Sequence, residues 1–144
     1  MSALKVAVIG AGIMGSAIAT RLIECGLAVQ VFDLDTAKVA ELVAKGGVAA
    51  ASVTDATAKS DFVILSLNHA NIVRAVVFGP NGVSAAAKPE KLLIDMSSID
   101  PGDTRQMAEK LPAETGMHWV DCPLSGGVPG ALSGRLTIMA GGSP

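Results

Sequence analysis

Three glycines stand in the spacing G-x-G-x-x-G, as Gly10-Ala11-Gly12-Ile13-Met14-Gly15. The spacing alone carries little; its neighbours give it chemistry. The apolar run 6–9 reads as a buried strand, and a helical period follows through Ile13, Ala17, Ala19 and Ile23. In that setting Gly10 makes a tight turn and Gly12 lets backbone approach a pyrophosphate. Gly15, helped by the small Ala19, lets the helix pack closely on the strand. The first-turn amides and the positive end of the helix dipole then face the phosphates. Asp33 ends the second apolar run, 18 residues after Gly15. Its carboxylate can accept hydrogen bonds from a ribose diol. Together with Asp35 it repels a 2′-phosphate, so the pattern favours NAD over NADP. The alternative is a plain strand-to-helix turn beside a solvated acid, and it needs strand, glycines, helix and acid to coincide by chance.

In an open α/β sheet, ligands sit beyond the carboxyl ends of the strands. Three later loops fall there: Ser66-Leu67-Asn68-His69-Ala70-Asn71, Asp95-Met96-Ser97-Ser98-Ile99-Asp100-Pro101 and Asp121-Cys122-Pro123-Leu124-Ser125-Gly126-Gly127. Ser97 and Ser98 offer hydroxyls to a nicotinamide, or else cap the helix that opens at Pro101. Ser125, Gly126 and Gly127 form either a backbone nest for a carboxylate or a simple glycine turn. Ile13 and Met14 read chiefly as packing residues, Met14 also as a neighbour of the nicotinamide. His69 reads as a surface or cofactor-edge residue, and His118 as structural. Lys5, Lys38, Lys45, Lys59, Lys88, Lys91 and Lys110 fall at element edges or on exposed helix faces. The chain therefore offers a cofactor cradle and an acid clamp, without a general acid or base for proton transfer.

The elements that must position these residues alternate. Strands are expected at 6–9, 28–32, 48–50, 62–67, 91–95, 119–121 and 136–140. Helices are expected at 13–25, 36–45 (capped by Asp35 or Thr36), 54–59 (capped by Thr54), 71–78 and 101–112, with 123–133 a loop. The alternation predicts an α/β fold: a Rossmann-like doubly wound, mostly parallel sheet with helices on both faces, as one domain over 1–144. Composition agrees. Half of the 144 residues are apolar and 17% charged, which excludes a disordered chain. The apolar half holds 23 Ala but only three Phe, one Trp and no Tyr, suiting closely packed layers. No apolar run is long enough for a membrane span, no export signal is visible in residues 1–8, and a net charge of −2 with scattered Lys and Arg does not suggest nucleic-acid binding. The lone Cys25 and Cys122 suit reduced thiols, no metal site is expected, and the expected location is the cytoplasm.

In order and spacing, the three motifs at 10–15, 95–101 and 121–127 resemble the β-hydroxyacid dehydrogenases, a family that includes 3-hydroxyisobutyrate dehydrogenase and 2-hydroxy-3-oxopropionate reductase and is related to 6-phosphogluconate dehydrogenase. The resemblance covers essentially the whole chain. It implies that Gly10, Ala11, Gly12, Ile13, Met14 and Gly15 cradle the pyrophosphate and that Asp33 takes the adenosine ribose. Leu67 and Asn68 would border the cofactor, Ser98 would sit beside the nicotinamide, and Ser125, Gly126 and Gly127 would bind the substrate carboxylate. Asn68 stands where the family usually has Pro, and Asp-Cys-Pro-Leu replaces its usual Asp-Ala-Pro-Val. The family's catalytic lysine, with an associated asparagine, belongs to a second, all-helical domain that also makes the dimer. Its place in the order begins after Pro144. The resemblance thus implies the NAD-binding domain of an oxidoreductase moving a hydride between nicotinamide and a short 3-hydroxy acid or its semialdehyde or keto form. The full enzyme is expected to be a homo-oligomer. This chain alone is expected to bind cofactor with negligible turnover. A non-enzymatic NAD-binding sensor domain is the main alternative, and a methyltransferase a further one.

Overall fold

The segment Val6-Ala7-Val8-Ile9 has no polar residue, so it is stable as a strand only where both faces are covered. In the computed structural model, which describes residues 4–143, it forms most of β1 (Lys5–Ile9) at the middle of a sheet. Met1 to Ala3, part of the stretch read for an export signal, and Pro144 lie outside the described residues. Beside β1 run β2 (Ala28–Phe32), β3 (Val48–Ala49), β4 (Phe62–Leu65), β5 (Leu92–Asp95) and β6 (His118–Asp121), in the order β3-β2-β1-β4-β5-β6. Every pairing in this sheet is parallel. The doubly wound expectation holds. The order reverses between β1 and β4, and their carboxyl ends open the crevice at the switch point.

One face is covered by α3 (Val53–Ala58), α4 (Ala70–Phe78) and α5 (Pro101–Thr115), around a core of Val63, Leu65, Val73, Leu93, Leu111 and Trp119. The other is covered by α1 (Ile13–Glu24), α2 (Thr36–Ala44) and α6 (Gly127–Ser133), around Val8, Ile18, Val29, Val31, Leu42 and Ile64. A 3-10 turn at Val83–Ala86 leads into β5.

Several boundaries differ from the sequence reading. The fourth strand stops at Leu65: the Ser66 amide still reaches the Ile9 carbonyl, but the Leu67 amide leaves the ladder for the loop. The fifth helix runs through Pro112 to Thr115 and closes on Gly116, whose φ is +80° and whose N–H donates to the Pro112 carbonyl at 2.9 Å. The cap of α3 is Ser52, whose hydroxyl accepts from the Asp55 amide at 3.0 Å; Thr54 instead donates to the Gly82 carbonyl. The largest correction concerns 123–133. It holds a short strand β7 (Leu124–Ser125) and the helix α6, not a loop. Gly130 costs that helix about 1 kcal/mol against Ala. Tertiary packing overrides the weak propensity: Ala131 is buried, with Val128 and Leu136 against the α1 side of the core. The last strand, β8 (Thr137–Ile138), pairs antiparallel with β7 in a separate ribbon and does not extend the main sheet. The chain returns to the open β6 edge at Gly141, which exchanges two 2.8 Å hydrogen bonds with Asp121.

The β1–α1 turn is held by close backbone approach. Gly10 has φ +101° and donates to the Phe32 carbonyl at 3.0 Å. A Cβ on Gly15 would collide with the Gly10 carbonyl oxygen. Backbone cannot yield as a flexible side chain can, so Gly15→Ala should cost about 1–3 kcal/mol and lower Tm by about 3–10 °C. Thermal unfolding checks this, and an unchanged Tm would contradict the close approach.

Candidate functional site

The loops after β1, β4, β5 and β6 converge on a cleft of about 600 Å³. Gly12, Ile13 and Met14 form its floor at the start of α1. A Cβ on Gly12 would meet nothing within 4 Å, so this glycine keeps the backbone bare toward the cleft and fills no tight space. Ile13 is 81% exposed and lines the same cleft, so it is not the packing residue expected. Lys38, Ser66, Leu67, Asn68, Met96, Ser98, Leu124 and Gly127 line the rest of it. Gly12, the N-cap of α1, receives no side-chain cap, and the first turn carries no acid. Its free amides thus remain available to an anion.

Asp33 lies on the far side of Gly10. Its Oδ2 accepts from the Ala11 amide at 2.6 Å and its Oδ1 from the Asp35 amide at 2.8 Å. The acid therefore braces the glycine loop as well as standing at the strand end. A carboxylate offers about four lone-pair sites, so two remain for a diol. Beside it a shallow apolar slot of about 200 Å³ is lined by Phe32, Leu34, Leu67, Ile72 and Val76. Leu34 is 91% exposed at the edge of this slot, which is an open platform for a flat apolar ring.

The two serines divide. Ser98 is exposed and faces the cleft. Ser97 is buried, and its hydroxyl accepts from the Leu67 amide at 2.9 Å. Neither caps α5, because Asp100 does so through the amides of Gly102 and Asp103 at 3.0 and 3.3 Å. Asp95 is fully buried, accepts from the Ser97 amide at 2.9 Å and leaves Oδ2 without a partner. Burial pushes its carboxyl above the ordinary carboxylate range, against the opposing effect of the Ser97 bonds. Burial also raises Asp121. Burial first, then the carboxylates of Asp121 and Asp95, push the Cys122 thiol up, so it is a poor nucleophile.

The structure thus gathers Gly12, Ile13, Met14, Leu67, Asn68, Ser98 and Gly127 around one cleft. Gly10 and Asp33 line the adjoining slot, while Ala11 and Gly15 are buried in the turn beneath. Ser125 and Gly126 are exposed at the β7–α6 junction and do not line the cleft. Sequence reasoning missed Lys38, which reaches the cleft from the first turn of α2, and also the apolar slot. The helical spacing of Ile72 and Val76 was a signal for the slot, but it also fits a packed core face. His69 is exposed and does not line the cleft.

A parallel doubly wound sheet with a bare glycine turn, a braced acid and a cleft at its switch point defines a dinucleotide-binding domain of the Rossmann type. The chain belongs to the family described as the NAD binding domain of 6-phosphogluconate dehydrogenase, whose profile matches residues 5–144. It is 44% identical over 140 residues to 2-(hydroxymethyl)glutarate dehydrogenase of Eubacterium barkeri, covering 97% of this chain and 46% of that protein. Among solved structures, Mycobacterium tuberculosis 3-hydroxyisobutyrate dehydrogenase with L-serine is 33% identical, with a TM-score of 0.89 over 99% of this chain and 47% of the other. Psf3 in complex with NADP+ and 2-OPP is 29% identical, with a TM-score of 0.91 over 96% of this chain and 49% of the other. The chain spans about half the length of the relatives it matches. Those relatives are dehydrogenases and reductases, not the regulatory domains of the sensor alternative. The cofactor class is a nicotinamide dinucleotide.

Asp95 gives a pH signature. Its carboxyl binds a proton more tightly folded than unfolded, so folded stability falls as pH rises from 3.8 through the raised pKa. Asp95→Asn keeps an oxygen for the Ser97 amide and removes the buried charge. The Tm of the variant relative to the parent should climb as pH rises above 3.8. A difference in Tm that stays constant with pH would contradict the burial of an ionisable group here.

Proposed function

We propose that this chain is the NAD-binding half of an enzyme that transfers a hydride between nicotinamide and a short 3-hydroxy acid or its semialdehyde. The bare, uncapped start of α1 beneath an open cleft carries the reading, because it suits a pyrophosphate. Gly10, Ala11, Gly12, Ile13, Met14 and Gly15 form that cradle. Asp33 accepts from the adenosine ribose, and the apolar slot beside it takes the adenine. Leu67, Asn68 and Ser98 border the nicotinamide, whose chemistry when bound is to give or take the hydride. Ile13, projecting over the cleft, shields the cofactor from water.

The names of two relatives support the substrate class. 2-(Hydroxymethyl)glutarate and 3-hydroxyisobutyrate each carry a hydroxymethyl on the carbon next to a carboxylate. L-Serine, present with the second, has the same arrangement. Such a substrate needs an anion site within a few ångströms of the reacting carbon. Gly127, which lines the cleft, takes that part with Ser125 and Gly126, exposed beside it at the β7–α6 junction. The proton is handled by a lysine, with an asparagine, on a helical domain that also makes a homo-oligomer and completes the site. The enzyme works in the cytoplasm.

Asp33 favours NAD by repelling a 2′-phosphate, whereas Lys38 is the cationic side chain among the described residues lining the cleft. The carboxylate is the nearer determinant, because it stands at the ribose end of β2 and is fixed by two amides. Titrations of NADH and NADPH into the chain, Gly12→Ala and Asp33→Ser test the reading. The parent should prefer NADH. Gly12→Ala, at an N-cap where Ala is worse than Gly, should unfold within about 5 °C of the parent yet bind NADH at least about tenfold more weakly, because its methyl enters the anion's space. Asp33→Ser should narrow the NADH-to-NADPH ratio. A parent that prefers NADPH would overturn the role given to Asp33, and undiminished binding by Gly12→Ala would overturn the cradle.

A further inference from the structure

Leu67 is the point where the β4 chain leaves the sheet. One residue earlier, the Ser66 amide still donates to the Ile9 carbonyl at 3.1 Å. The Met96 amide donates back to the Leu65 carbonyl at 2.9 Å. The Leu67 amide has no strand to reach. Without a partner it would be a half-buried orphan donor, which folded chains avoid. The Ser97 hydroxyl takes it at 2.9 Å.

Ser97 is itself fixed. Its amide donates to Asp95 Oδ1 at 2.9 Å, and the Asp95 carbonyl accepts from the Cys122 amide at 2.8 Å. The loops after β4 and β5 and the start of the loop after β6 are thereby tied into one unit. Ser97 is only 4% exposed, so it cannot meet a ligand, whereas its neighbour Ser98 and the held segment Leu67–Asn68 both line the large cleft. The adenine slot shares the Leu67 side chain, but Phe32, Leu34, Ile72 and Val76 line it too, and Asp33 beside it is held by the Ala11 amide, none of them bonded to Ser97.

We propose that Ser97 is a positioning residue, which fixes the Leu67–Asn68 wall and Ser98 at the spacing the nicotinamide half of the cofactor requires. This rests on the assignment of the large cleft to the nicotinamide half. Removing the hydroxyl frees the Ser66–Leu67 peptide to turn, and the Leu67–Asn68 segment with it, and leaves the glycine turn and the Asp33 brace in place. A merely structural serine would, when lost, weaken every ligand alike.

The test uses calorimetric titration of two probes: NADH, and ADP-ribose, which lacks the nicotinamide. For Ser97→Ala the dissociation constant for NADH should rise about tenfold, as expected for an orphaned amide donor, while that for ADP-ribose stays within about twofold. Ser97→Thr keeps the hydroxyl and should restore NADH binding. Equal weakening of both probes, no weakening of either, or a Thr variant as weak as Ala would overturn the proposal. If Ser97→Ala does not fold, Ser97→Cys keeps the volume with a poorer acceptor and carries the same expectation. A parent that binds ADP-ribose but not NADH overturns both the cleft assignment and this proposal. A parent that binds both probes, with no split in the variants, overturns this proposal alone.

Discussion

The contact between Gly15 and the Gly10 carbonyl, with no Cβ between them, governs the rest of the molecule. Because helix and strand approach so closely, α1 starts directly under the carboxyl end of β1 and points its free amides at the crevice. A helix set one side chain further out would carry its dipole away from the switch point. The Phe32 carbonyl and the Asp33 carboxylate then fasten the turn to the neighbouring strand, at 3.0 Å from the Gly10 amide and 2.6 Å from the Ala11 amide. The acid that follows β2 is thus also part of the scaffold.

Around this turn the surface is unusually apolar for exposed loops. Ile13 and Leu34 are 81% and 91% exposed, and each borders one of the two adjoining depressions. Such side chains gain little in water, and a ligand lying across Gly10 would cover both. Polar groups that could compete are turned inward or engaged: Ser97 serves the Leu67 amide, and Asp95 is buried behind it. The division of Ser97 and Ser98 follows from geometry, since adjacent residues leaving a strand present opposite sides.

Much of this was legible in the sequence. The strands Val6 to Ile9 and Phe62 to Leu65 could be read from unbroken apolar runs, and the glycine roles from spacing and context. What escaped depended on distant packing. Nothing local in Gly127-Val128-Pro129-Gly130 favours a helix; α6 forms because Ala131 and Leu136 find the surface beside α1. Ile13 looked like a core residue because its place in the helical period is right, yet the helix begins there and the core lies a turn later. The strand expected at 136–140 does contain β8, but its antiparallel partner β7 is two residues long, too short for periodicity to register. Lys38 sits on a helix face that only the tertiary arrangement brings to the cleft.

The central claim is that the nicotinamide dinucleotide lies across the carboxyl ends of β1, β4 and β5, from the Asp33 slot to Ser98. Amide NMR of the chain titrated with NADH tests it most directly. The account predicts that the largest shifts fall at Gly12, Ile13, Leu67 and Ser98, with Asp33 and Leu34 following, while Arg105, Glu109 and His118 around the separate cleft between α5 and β6 stay put. Shifts concentrated at that second cleft, or none at the glycine turn, would contradict it.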